Sequence, residues 1–72
     1  MKIVEITCEP VELYKILKFE GLVASGGEAK AAISLGYVRV NGHIETQKRK
    51  KIVAGDTLQF GDDKFRVRLK QD

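Results

Sequence analysis

Lys48-Arg49-Lys50-Lys51 sets four cationic side chains on four consecutive residues, the sharpest chemical signal in the chain. Read as an extended segment, such a run turns neighbours to opposite sides, so half of it faces any one surface. A phosphate track needs positive charge at several points, and the counterions it displaces make binding salt-dependent. The competing reading is a solvated loop that keeps the chain soluble. Arg39 lies between Val38 and Val40 and is expected to face outward from a strand. Its planar fork can hold a phosphate bidentately, which lysine cannot; a surface pair with Glu45 is the alternative. Lys30 falls near the start of a predicted helix, where unpaired N–H groups attract anions. Ser25 caps that helix, and Gly26-Gly27 would let a backbone phosphate approach. The glycine pair is no nucleotide loop, because the Gly-Lys-Ser/Thr ending is missing. Asn41 sits at a turn tip beside the basic strand, a structural residue first and a phosphate contact second.

Lys64, Arg66, Arg68 and Lys70 make a second basic stripe, read as a solvated sheet face. Tyr14, Phe19 and Tyr37 offer faces on which bases can stack, although Phe19 and Tyr37 are read first as cover for the core. Nothing assembles into a catalytic set: no histidine, carboxylate and nucleophile form a pattern, and no cysteine–histidine cluster suits a metal. Cys8 is the only cysteine and His43 the only histidine. A lone thiol closes no internal bridge and completes no zinc site, so Cys8 is expected to be a small apolar filler. Neither catalysis nor a metal or cofactor is expected.

With 72 residues the chain is expected to be a single domain spanning 1–72. The formal charge is +3, unevenly spread. Residues 1–36 hold four basic and five acidic residues, whereas residues 37–72 hold nine basic and five acidic. This asymmetry points to a polyanion partner. Met1-Lys2 leads into an alternating run rather than an apolar leader, and no apolar stretch approaches the roughly 20 residues a bilayer requires. The expectation is a cytoplasmic monomer with no membrane partner.

The elements that must position these residues follow from periodicity. Lys2-Ile3-Val4-Glu5-Ile6 reads as a strand. Pro10, flanked by Glu9 and Glu12, is expected in the first turn of a helix, with Leu13, Ile16, Leu17 and, as an optional member, Tyr14 as its apolar stripe and Gly21 as its stop. Ser25-Gly26-Gly27-Glu28 reads as a capping box, with Glu28 reaching back to the Ser25 N–H. Ala29, Ala32 and Ile33 form the inner stripe of this second helix, and Gly36 ends it. From Tyr37 the period falls to two. Asn41-Gly42 signals a type I′ hairpin, Ala54-Gly55-Asp56 and Gly61-Asp62-Asp63 signal turns, and Phe65, Val67 and Leu69 alternate with basic residues. The expected class is α+β, a two-helix pair packed on a small, mostly antiparallel sheet.

Leu13 to Asp56 resembles the RNA-binding domain named after ribosomal small-subunit protein four, also called the αL RNA-binding motif. The resemblance rests on Leu13 and Leu17 before Gly21, on SGGEAKAAISLG from Ser25, on YVRVNG ending at Asn41-Gly42, and on VAGD closing at Gly55-Asp56. The motif core spans about 11–56, and the chain looks like the small free-standing bacterial members. The resemblance implies binding to structured RNA, ribosomal or transfer RNA, without catalysis. In that family the domain is often appended to pseudouridine synthases or tyrosyl-tRNA synthetases, for which this chain has no room. Four residues depart from the family pattern. Gly26 follows the serine where many members are basic, Glu28 stands where a base is common, and Val11-Glu12 replaces a basic helix start. The expected RNA contacts are therefore Ser25, Gly26, Lys30, Arg39, Asn41, Lys48, Arg49, Lys50 and Lys51. The alternative is a small protein-interaction or carrier module of β-grasp type, against which the Lys70-Gln71-Asp72 end argues, since ubiquitin-like carriers end in Gly-Gly.

Overall fold

The computed structural model describes residues 1–70. Nine elements follow one another: β1 (Lys2–Ile6), β2 (Val11–Glu12), α1 (Leu13–Phe19), α2 (Gly26–Ser34), β3 (Val38–Val40), β4 (His43–Ile44), β5 (Lys51–Ile52), β6 (Thr57–Phe60) and β7 (Asp63–Leu69). Five strands form one sheet in the order β1-β7-β6-β3-β4, with β1 parallel to β7 and every other pair antiparallel. β2 and β5 form a separate two-stranded ladder. The α+β class and the helix pair on a mostly antiparallel sheet stand as expected. Gln71 and Asp72, the end set against the carrier reading, lie outside the described residues.

Leu13, Ile16 and Leu17 of α1 and Ala29 and Ile33 of α2 share one buried cluster with Val4, Ile6, Val38, Val40, Leu58, Phe65 and Val67 of the sheet. The helices thus cover one side of the sheet only. Both helices end in the way their glycines require. Gly21 (φ +71°) and Gly36 (φ +83°) take the left-handed conformation. Leu22 N–H donates to Leu17 O and Gly21 N–H to Lys18 O, and the pattern recurs with Tyr37 to Ala32 and Gly36 to Ile33. This is the Schellman arrangement, which satisfies the last carbonyls of each helix. Asn41 (φ +53°) and Gly42 (φ +86°) both have positive φ, the requirement of a type I′ turn.

Several local expectations are corrected. Pro10 does not lie in a helical turn: α1 begins only at Leu13, because Val11 and Glu12 are taken up in pairing with Ile52 and Lys51. No acidic residue remains in the first turn of α1. Glu28 reaches back to the Ala24 N–H at 3.1 Å rather than to Ser25, while Ser25 Oγ accepts from the Glu28 N–H at 3.2 Å as anticipated. Cys8 is exposed, not a core filler, since it falls in the bend after β1 has left the sheet. Phe19 and Tyr37 are 72% and 63% exposed, so neither covers the core. The segment 48–50 is a turn rather than an extended run, closed by Lys50 N–H donating to Gln47 O.

Candidate nucleic-acid interface

That turn is the key to the site. A helix start leaves N–H groups without intrahelical partners, and Glu12, the cap residue of α1, offers no side-chain cap. The basic turn takes that role with its backbone. Leu13 N–H donates to Lys50 O at 2.9 Å and Tyr14 N–H to Lys48 O at 3.2 Å. The carbonyls are spent on the helix, and the side chains of Lys48, Arg49, Lys50 and Lys51 stay exposed. The run is therefore fastened to the start of α1 instead of standing free as a solvated loop.

The half-buried Tyr14 ring lies where three segments meet. Lys30 Nζ from α2 sits 4.8 Å from the ring centroid, the Arg49 guanidinium carbon 5.8 Å and Lys15 Nζ 6.0 Å. A cation this near an aromatic face is held by the ring quadrupole. Gly26 backs onto the same ring, since a Cβ built there would lie 4.0 Å from two ring carbons. Within the described residues, the Gly26 and Gly27 N–H groups, in the first turn of α2, make no hydrogen bond. Ser25, Gly26, Lys30 and Arg49 are thus brought together. Sequence reasoning missed Lys15 altogether and treated Tyr14 as an optional member of the apolar stripe or a stacking face. Its place just inside the helix start was the available signal, but its three cationic neighbours are far apart in the chain.

One carboxylate intrudes. Glu12 bonds Lys15 at 3.2 Å and Arg49 at 3.4 Å. Its pKa lies below the ordinary 4.5, first through the hydrogen bond from Lys15 and further through the charges of Lys15, Arg49 and Lys51, while partial burial opposes the shift.

Two expected contacts lie elsewhere. Arg39 is exposed between buried Val38 and Val40 and so points from the opposite side of the sheet; its guanidinium donates to Gly42 O at 3.3 Å. Strand alternation separates it from the cluster. The Asn41 side chain is committed within the fold: its amide donates to Asp56 Oδ1 at 3.1 Å and accepts from the Thr57 N–H at 2.9 Å. Among the described residues, no group of three or more His, Cys, Asp or Glu side chains is placed to hold a metal. No helix is long and apolar enough to cross a membrane.

The model of the S4 domain matches residues 4–68. YbcJ of Escherichia coli (strain K12), a protein named for RNA binding, is 51% identical over 57 residues, which cover 79% of this chain and 81% of that protein. The solution structure of YbcJ from E. coli, described as revealing an αL motif involved in RNA binding, superposes with a TM-score of 0.72 at 45% identity, covering 94% of this chain and 87% of the other. The tyrosine–tRNA ligase of Bordetella pertussis is 44% identical over 62 residues, 83% of this chain but only 15% of the ligase.

Proposed function

This chain belongs to the S4 domain family, and from that membership we propose that it binds structured RNA, ribosomal or transfer RNA, through its phosphate backbone and without catalysis. The observation that carries the reading is the gathering of Lys15, Lys30 and Arg49 around Tyr14, from α1, α2 and the 47–50 turn. These cations meet the open first turn of α2, where free N–H groups and the helix dipole favour an anion. Lys48 and Lys50 extend the positive surface from the same turn, and Lys51 from the start of β5. Folded RNA is recognised largely by its shape and phosphates, so base-specific contacts are not needed. Both the relative named for RNA binding and the αL description of the similar structure support this assignment. The ligase chemistry of the larger relative does not transfer, because the match spans 15% of that enzyme. We assign the chain to the cytoplasm, acting as a monomer.

The test is a fluorescence anisotropy titration of a ribosomal RNA hairpin and a transfer RNA, using the parent and Lys30→Ala/Arg49→Ala. Each lost charged phosphate contact should cost roughly 1 kcal/mol or more. The double variant should therefore bind at least about tenfold more weakly while keeping its unfolding midpoint. Equal affinity of parent and variant at low salt would remove this site from consideration.

A further inference from the structure

The helices cover one side of the five-stranded sheet, and its other side is bare. The register fixes what that bare side carries. On β7, Phe65 and Val67 are buried, so Lys64, Arg66 and Arg68 alternate outward. Pairing places Lys64 beside Gln59, Gln59 beside Arg39, and Arg39 beside Ile44, in one row across four strands. Arg66 lies between Ile3 and Thr57, and Arg68 beside Glu5. Successive outward residues on a strand stand about 7 Å apart, and alternate strands about 10 Å apart. Lys64, Arg66 and Arg39 thus form a triangular array of positive charge, with polar Gln59 on its Lys64–Arg39 edge and Thr57 beside Arg66.

The sign of this face is the deciding feature. It holds four bases, Arg39, Lys64, Arg66 and Arg68, against one acid, Glu5, and is net +3, equal to the formal excess of the whole chain. Glu5 is bound to Arg68 at 3.4 Å. Within the described residues, Lys64, Arg66 and Arg39 form no ion pair. A face that serves only solubility intersperses both signs, whereas a single-sign field steers and holds an oppositely charged partner. The helix side differs in this respect, because Glu12 partly neutralises it.

The geometry points to a second polyanion-binding face here, on which Lys64, Arg66 and Arg39 take the phosphates of a second RNA segment. The chain then sits between two RNA segments, one against the Tyr14 cluster and one against the open sheet. This inference rests on the RNA reading of the helix side, but it uses different residues. It also gives Arg39 a role that its orientation denies it at the Tyr14 cluster.

The experiment is an amide-shift titration of isotope-labelled full chain with a short RNA hairpin at about 0.15 M salt, for the parent and for Lys64→Glu/Arg66→Glu. In the parent, shifts near Tyr14, Gly26 and Lys30 are expected in a first event and shifts at Lys64–Arg68 and Arg39 in a second. Charge reversal should abolish the second set and leave the first within about twofold, because the screening length at that ionic strength, about 8 Å, is shorter than the molecule's smallest extent of 18 Å. Unmoved core amides in the variant establish that it is folded. Saturation at one hairpin per chain with β7 amides unmoved overturns the second face and leaves the first intact. Movement of β7 amides without movement around Tyr14 overturns the helix-side reading and, with it, the two-segment arrangement. An equal loss at both faces in the variant means diffuse attraction, and it also overturns the proposal.

Discussion

Tyr14 and Glu12 decide the chemistry at the scale of single residues. The ring gathers three cations, and the carboxylate restrains two of them. Where phosphate competes with Glu12 for Lys15 and Arg49, the carboxylate opposes binding. Glu12→Gln should therefore tighten RNA binding, by roughly two- to fivefold at low salt and less at high salt, as expected for exposed pairs. Anisotropy titrations at two salt concentrations check this, and weaker binding by the variant would refute it. The same residue sets a pH effect. A carboxylate whose folded pKa lies below its ordinary 4.5 stabilises the fold fully above that value. That contribution is lost as pH falls through the lower folded value, so the Gln variant should show a shallower acid limb in its unfolding midpoint. The cationic run was legible as a phosphate candidate from four adjacent residues. The part played by Tyr14 was not, because its ring acquires Lys30 and Arg49 only when distant segments meet.

Local signals served well at the scale of elements wherever they were self-contained. Ser25 and the glycines at 21, 36 and 42 act through hydrogen bonds and φ angles within a few residues, and the structure has them in those roles. The β2–β5 ladder left no such trace, since two residues carry no period. Its pairing displaced the helix start expected at Pro10 and turned the basic run into the cap of α1. Asn41 illustrates the same limit. Its turn was legible from Asn-Gly, but its clip onto Asp56 and Thr57 spans 15 and 16 residues. Asn41→Gly should keep the turn and lose the clip, costing about 1 kcal/mol. Asn41→Ala adds left-handed strain of about another 1 kcal/mol. Urea unfolding measures both, and RNA affinity of the folded protein should stay close to the parent's. A large affinity loss in a fully folded Asn41→Gly would instead make Asn41 a contact.

At the scale of the whole molecule, the layout separates holding the fold together from meeting a polyanion. The 48–50 turn supports α1 through carbonyl oxygens, which every residue type possesses, and meets solvent through side chains. Lys48→Ala/Arg49→Ala/Lys50→Ala should therefore leave the cap of α1 in place. Among the described residues, the one side-chain ion pair it removes is Arg49–Glu12, a surface contact worth under about 1 kcal/mol. Three positive charges disappear, taking the formal net charge from +3 to zero. If those side chains meet phosphates, log affinity against log salt should become shallower by about two to three, since each phosphate contact contributes close to one. Thermal unfolding without RNA should change by only a few degrees at most for a domain this small. A triple variant that unfolds outright would show that the side chains, not the backbone, maintain the turn. An unchanged salt slope in a folded variant would place the phosphates elsewhere, with Lys15 and Lys30 at Tyr14 or on the open sheet.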